Sequence, residues 1–181
     1  ASCLVGSEMC IRDRYENDKT PSPQDLISII EAELINEEER IVLEPGRSIS
    51  GNAGILLTKV EYIKDNFLIA DAAMNDLLRP ALYKAKHDVW NLTESEAIDQ
   101  VWTIVGPVCE SADVIAKDHP INADVGDILA IKTAGAYGFV MSSNYNSRVR
   151  PAEVLVDGKT FNIIRSRESF DDLIKNEISL N

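Results

Sequence analysis

A cysteine and a glutamate stand side by side at Cys109-Glu110, just after a Gly-Pro bend at Gly106 and Pro107. A thiol can donate a proton near neutral pH because its ordinary pKa is about 8.5, and the neighbouring carboxylate can bind a cation. The pair therefore suits a reaction that returns a proton to a carbanion while it holds a charged substrate. The structural alternative is that a lone cysteine between valine and glutamate is usually a small buried hydrophobe.

A second candidate site comes after the short apolar run at 41–43, where the sequence reads Glu44-Pro45-Gly46-Arg47. In parallel α/β sheets and barrels, ligands bind at the carboxyl ends of the strands. The guanidinium of Arg47 and the backbone amides after Gly46 suit a phosphate or a carboxylate. An ordinary turn with an ion pair between Glu44 and Arg47 would use the same residues, and the pattern alone leaves both interpretations open.

Two further groups combine charge with aromatic rings. Arg79 and Tyr83 are four positions apart, which places them on one face if this stretch is helical. Tyr137 lies among small residues at 134–138, and such a loop lets the backbone approach a ligand closely. The alternatives are surface side chains that lie along apolar neighbours and a tight turn beside a packed tyrosine.

The elements that must position these residues fall into two regions. Ser22 is a suitable N-cap with Pro23 at the first helical position, and apolar residues then recur at helical spacing before the run at 41–43. Residues 22–43 therefore predict one helix-strand unit of an α/β fold. Beyond residue 54, short β-branched and aromatic runs with Asp- and Gly-marked turns predict an all-β second domain, a sandwich or a barrel. The predicted strands are 55–63, 67–70, 101–105, 128–133, 153–156 and 160–164, with a short helix within 168–175.

Composition narrows the function classes. The net charge of −12 argues against nucleic acid or an anionic membrane as a partner, because both require clustered Lys and Arg. Three cysteines without framework spacing argue against a disulfide scaffold and favour the cytoplasm. His87 and His119 are 32 positions apart and belong to no metal-ligand motif, so we expect no metal site and expect both on the surface or in loops. Residues 1–14 do not match the pattern of the rest of the chain, and we expect them to be a foreign leader.

Four motifs, taken in order, resemble the diaminopimelate decarboxylase family, which consists of pyridoxal-phosphate enzymes of the alanine-racemase-like fold type. The motifs are EPGRSI at 44–49, NDLLRPALY at 75–83, VGPVCESADVIAKD at 105–118 and AGAYGFVMSSNYNSRVRPAEVLVDG at 134–158. The resemblance covers about residues 15–175. It implies an α+β chain: the last helix-strand unit or units of a PLP-binding βα barrel at 15–54, then a Greek-key-like all-β C-terminal domain at 55–181.

The resemblance also implies roles around the cofactor, pyridoxal 5′-phosphate. Glu44 would face the pyridinium nitrogen and keep it protonated, so that the ring acts as an electron sink. Gly46 and Arg47 would lie against the cofactor, and Arg47 would also reach the substrate. Arg79 and Tyr83 would bind the distal carboxylate of meso-diaminopimelate.

The remaining implied roles belong to the cysteine motif and the tyrosine loop. Glu110 would bind the distal ammonium, and Tyr137 would contact both the cofactor and the substrate. Cys109 would be the general acid that protonates the α-carbon after carbon dioxide leaves, giving L-lysine. In the family, Cys109 and Glu110 act across the interface of a homodimer, in an active site built mainly by the other subunit.

One departure limits what the chain is expected to do alone. The Schiff-base lysine of the family lies early in a βα barrel that takes about 250 residues, and no lysine of this chain stands in the matching motif. We therefore expect the polypeptide by itself to be inactive. Two other functions stay open: a decarboxylase of ornithine, arginine or carboxynorspermidine with the same fold, and a non-catalytic β-domain used for dimerisation or regulation.

Overall fold

The chain is organised by one six-stranded sheet, with a parallel strand pair before it and a hairpin after it. The computed structural model describes residues 2–6, 22–33, 40–44, 46–93 and 100–179. In chain order the elements are β1 (Ser2–Gly6), α1 (Pro23–Glu33), β2 (Arg40–Glu44), β3 (Leu56–Lys64), β4 (Phe67–Ala70), α2 (Arg79–Tyr83), β5 (Val89–Asn91), β6 (Gln100–Val105), β7 (Val114–Ile121), β8 (Ile128–Ile131), β9 (Glu153–Asp157), β10 (Thr160–Arg165) and α3 (Phe170–Ile174).

The predicted helix-strand unit is present as α1 and β2. The Ser22 hydroxyl accepts a hydrogen bond from the Asp25 amide at 3.1 Å, and the Asp25 carboxylate accepts one from the Ser22 amide at 2.8 Å. This reciprocal cap is why the helix begins at Pro23. The hydrogen bonds from Ser22 hold the pKa of Asp25 below its ordinary value. Whether the unit belongs to a βα barrel stays a prediction.

β2 pairs in parallel with β1 over its whole length, from Ser2 opposite Arg40 to Gly6 opposite Glu44. Part of the segment that we expected to be a foreign leader therefore forms a strand beside β2. Residues 7–14 of that segment lie outside the described residues. The foreign origin of 1–14 stays a prediction.

The main sheet has the strand order β5-β8-β3-β4-β6-β7. Neighbouring strands run antiparallel except for β4 and β6, which are parallel. β3 alternates between buried Thr58 and Val60 and exposed Lys59 and Glu61, as expected for a strand with one face on a core. The core is apolar and includes Val60, Leu68, Trp102, Ile104, Ile115, Ile121, Leu129 and Ile131.

The two edges of this sheet approach each other. β5 and β7 are at opposite ends of the strand order, yet the His119 Nε2 of β7 donates a hydrogen bond to the Val89 carbonyl of β5 at 3.0 Å. The sheet therefore curls toward a barrel, one of the two architectures that the sequence predicts. The described elements beyond residue 54 are mostly strands with two short α-helices, α2 and α3, in agreement with the predicted all-β region.

The two histidines agree only in part with the expectation of surface or loop positions. His119 lies in β7 and is half-buried, and His87 lies in the α2–β5 connection but is only 2% exposed. Among the described residues, no helix combines the length and apolar character needed to cross a bilayer.

Candidate functional site

Arg47 lies in the turn that comes after β2 and is buried, with 2% of its surface exposed. Its Nη1 donates to the carbonyl of Thr133 at 3.0 Å and also to the carbonyl of Ala136. The Gly51 amide donates to the Arg47 carbonyl at 2.7 Å, which closes the turn. Arg47 therefore ties the turn after β2 to the loop that carries Tyr137. The side chain of Glu44 lies outside what the structure describes.

The small residues around Tyr137 allow two backbone segments to approach one another. The Ala134 amide donates to the Gly54 carbonyl at 2.9 Å, and the Gly135 amide donates to the Gly51 carbonyl at 3.1 Å. A Cβ on Gly135 would lie only 2.8 Å from the Gly54 amide nitrogen and would also meet the Ser50 carbonyl. The small residues at 134 and 135 therefore let this loop pack closely against the 50–54 backbone.

Arg79 stands between two tyrosines. Its guanidinium carbon is 5.0 Å from the ring centre of Tyr83 and 5.4 Å from that of Tyr137, distances at which cation–π attraction operates. Arg79 and Tyr83 are the ends of α2, so they share one face as their spacing predicts. Arg79 is buried at 8% exposure, whereas Tyr83 is 59% exposed. We name Arg47, Arg79, Tyr83 and Tyr137 the arginine group.

His87 is a member of this neighbourhood that the sequence did not reveal. Its Nδ1 lies 2.8 Å from the Lys132 carbonyl and 3.1 Å from the Thr133 hydroxyl. Burial, reinforced by the charges of Arg47 and Arg79, lowers the pKa of His87 to about 4. The imidazole is therefore neutral near pH 7, which suits a position beside two guanidinium groups.

Cys109 and Glu110 lie in the loop 106–113 between β6 and β7, which we name the cysteine loop. Both side chains are exposed. The Ser111 hydroxyl donates to Glu110 Oε1 at 3.2 Å, and the Tyr145 hydroxyl approaches Glu110 Oε2 at 3.5 Å. Tyr145 belongs to the polar stretch 141–150, which from sequence alone signals only a loop or an interface.

The structure thus gathers Arg47, Arg79, Tyr83 and Tyr137 in one place and puts Cys109 and Glu110 on a different, exposed loop. Ser48 adds a buried hydroxyl that has no hydrogen-bond partner among the described residues. A guanidinium such as that of Arg79 is the residue type that suits an anionic ligand such as a phosphate or a carboxylate. Among the residues that the structure describes, no cluster of His, Cys, Asp and Glu has the form of a metal site.

Comparison of the chain with known protein families defines its class. The family model described as pyridoxal-dependent decarboxylase, C-terminal sheet domain, matches residues 4–135. The chain therefore belongs to the pyridoxal-dependent decarboxylase family, whose members are lyases that use pyridoxal phosphate.

Within that family the chain is similar to diaminopimelate decarboxylases. It is 49% identical to the Pseudomonas aeruginosa enzyme over 168 residues, which are 91% of this chain and 40% of that protein. The crystal structure of the Helicobacter pylori enzyme complexed with L-lysine superposes with a TM-score of 0.84 at 43% identity, covering 90% of this chain and 41% of that one. The chain thus spans about two fifths of the length of these relatives, corresponding to their C-terminal portion.

A more distant relative shares the fold alone. The lysine/ornithine decarboxylase of Vibrio vulnificus, solved with cadaverine, superposes with a TM-score of 0.69 at 22% identity, covering 83% of this chain and 42% of that one.

Proposed function

We propose that this chain supplies the C-terminal part of a decarboxylase that converts meso-diaminopimelate to L-lysine and carbon dioxide. The observation that supports this most directly is the 49% identity to the Pseudomonas aeruginosa diaminopimelate decarboxylase over 91% of the chain. The substrate has a zwitterionic distal end, which requires one cationic and one anionic recognition group. The arginine group and Glu110 provide one of each.

The recognition roles follow from charge. Arg79 would bind the distal carboxylate, because it is a fixed guanidinium held between the rings of Tyr83 and Tyr137. Tyr83, with its ring largely exposed, would add its hydroxyl to the same carboxylate. Glu110 would accept hydrogen bonds from the distal ammonium and so select against substrates that lack it.

The proton transfer would fall to Cys109. When the bond between the α-carbon and its carboxylate breaks, the electron pair stays on the α-carbon and must be neutralised. Cys109 Sγ would donate that proton and be reprotonated from solvent, which its exposed position permits. Because Cys109 and Glu110 point outward on the cysteine loop, we propose that they complete the site of a second subunit in a homodimer.

The pyridoxal phosphate of the family would lie on the side of the arginine group, held by Glu44, Gly46, Arg47 and Tyr137. When bound, it supplies the electron sink that makes decarboxylation feasible. The two positive charges of Arg47 and Arg79, which both act on His87, support an anionic ligand on this side. We propose that the chain alone is inactive, because the lysine that carries the cofactor in the family has no counterpart in it.

Two other functions are less well supported. A decarboxylase of ornithine, arginine or carboxynorspermidine would share the fold, but the lysine/ornithine enzyme is only 22% identical to this chain. A non-catalytic dimerisation domain would leave the pairing of Arg79 with two tyrosines without a role.

The test is a chimera in which this chain replaces the matching C-terminal part of the Pseudomonas aeruginosa enzyme. We expect carbon dioxide release from meso-diaminopimelate, with kcat/KM roughly a hundredfold or more above that for L-ornithine or L-arginine. The separate chain, mixed with pyridoxal phosphate, should release none. A folded but inactive chimera, with the parent enzyme active in parallel, would contradict the proposal, as would equal use of ornithine.

A further inference from the structure

The cysteine loop is held in place by a buried carboxylate at its last residue. Asp113 is 3% exposed, and each of its oxygens accepts a backbone amide. Oδ1 accepts from Met74 at 2.6 Å, and Oδ2 accepts from Val108 at 2.8 Å. One carboxylate therefore joins the residue just before Cys109 to a segment that lies far away in sequence.

The fit between the loop and that segment is tight. The Gly106 amide donates to the Asp113 carbonyl at 3.1 Å, which closes the base of the loop. A Cβ at Gly106 would lie 2.6 Å from the Ala73 Cα and would also collide with the Asp113 carboxylate. Only glycine lets the loop lie this close to the 72–74 backbone.

The 72–75 segment, against which the cysteine loop packs, also holds the loop that carries Tyr145, a neighbour of Glu110. Next to Met74, the Asn75 carbonyl accepts a hydrogen bond from the Ser143 amide at 2.9 Å, and its side-chain amide donates to the Ser143 carbonyl at 3.3 Å. Ser143 lies two residues before Tyr145, whose hydroxyl approaches Glu110. Two adjacent residues thus hold the loop of Glu110 and the loop of Tyr145.

The electrostatics of Asp113 are consistent with this role. Burial raises its pKa above the ordinary value, while the amides of Met74 and Val108 and the nearby charge of Arg148 act in the opposite direction. An amide side chain could not replace the carboxylate, because its nitrogen would face a backbone N–H donor.

We propose that Asp113 is a positioning residue that sets where Cys109 and Glu110 stand relative to the segment leading into Arg79. Asp113 touches neither substrate nor cofactor and acts through the backbone of Val108 and Met74. It thereby sets how well Glu110 selects a distal ammonium. This inference rests on the proposed function for its effect on activity, but its structural part does not.

The test uses the chimera with D113N, and with D127N as the matched control. Asp127 is also buried, and its Oδ2 accepts from Asn91 and from the Asp124 amide at 2.8 Å each, in a turn outside the candidate site. The quantity measured is the ratio of kcat/KM for meso-diaminopimelate to that for L-2-aminopimelate, which lacks the distal ammonium. We expect D113N to lower this ratio roughly tenfold, toward the value for E110Q, since a charge-assisted bond is misplaced. D127N should leave the ratio unchanged.

Amide hydrogen exchange provides a readout independent of activity. The amides of Val108 and Met74 should exchange faster in D113N and stay protected in D127N. If D113N does not fold, G106A tests the same contact without changing charge, and the ratio should fall in it as well. An unchanged ratio in D113N, or an equal fall in D127N, would overturn the proposal. An inactive parent chimera would refute the proposed function. Amide hydrogen exchange would then test the role of Asp113 by itself. If the amides of Val108 and Met74 stayed protected in D113N, the proposal for Asp113 would be overturned.

Discussion

The arginine group and the cysteine loop differ in what surrounds their functional side chains. Arg47 and Arg79 are buried at 2% and 8% exposure and are held by carbonyls or aromatic rings of the same chain. Cys109 and Glu110 are exposed, and the backbone of their loop is held through Asp113, while the Glu110 carboxylate makes long contacts with the exposed hydroxyls of Ser111 and Tyr145. A side chain held this way is positioned but left available, as is needed for contact with something outside its own fold.

The two regions also differ in how much a substitution should change the stability of the fold. A buried guanidinium must be compensated by hydrogen bonds and packing, so its removal perturbs the fold as well as the site. An exposed thiol or carboxylate can be replaced with little effect on stability. Substitutions in the two regions should therefore separate effects on folding from effects on chemistry.

The largest expected effect is on the cysteine loop. In the chimera, Cys109→Ala should lower kcat for meso-diaminopimelate by about 10²- to 10⁴-fold, because it removes the proposed general acid. The thermal midpoint should stay unchanged because the thiol is exposed, whereas Arg79→Gln should lower it. Steady-state kinetics and thermal melts of both variants check this. Full activity of Cys109→Ala would show that Cys109 is not the proton donor.

The next effect concerns His87, which lies near Arg47 and Arg79, and it depends on pH. The pKa of His87 is about 4 in the fold and about 6.5 in an unfolded chain, so the unfolded state binds more protons between these values. The stability that the neutral imidazole contributes is complete above pH 6.5 and is lost as pH falls toward 4, by at most about 3 kcal/mol. Asp76 and Asp113, whose pKa values burial raises, act in the opposite direction.

Denaturation midpoints of the chimera at pH 7 and pH 4.5 measure this effect. His87→Asn should reduce the difference between the two midpoints, since its amide can still donate to the Lys132 carbonyl but does not titrate. An identical pH dependence in both proteins would show that His87 does not titrate on unfolding.

The smallest effect tests the contact between Tyr145 and Glu110. The hydroxyl lies 3.5 Å from Glu110 Oε2 at an exposed site, so the bond is long and weak. Tyr145→Phe should lower the preference for meso-diaminopimelate over L-2-aminopimelate by about twofold. Tyr62→Phe, at a tyrosine that is 59% exposed on β3, is the control. If the parent chimera, Tyr145→Phe and Tyr62→Phe all showed the same substrate preference, Tyr145 would have no part in substrate selection.

The local signals of the sequence agree well with the fold. The cap at Ser22 begins α1, β4 has the predicted bounds, and Asp157-Gly158 turns the last hairpin with Gly158 at φ 57°. Each of these depends on a few adjacent residues. By contrast, β7 was not predicted, because Lys117, Asp118 and Pro120 do not have a strand's composition. Its place at the edge of the sheet explains why a proline is tolerated there.

The sequence by itself determined the family, the order of the motifs and the residue types able to do chemistry, because these are local patterns. Only the tertiary structure decided which of them meet. The burial of His87, the pairing of Arg79 with Tyr137 and the bonds of Asp113 to Val108 and Met74 join the candidate residues to distant or unmarked parts of the chain. Such contacts arise from the curling of the sheet and the close approach of its loops, and these depend on packing across the whole domain.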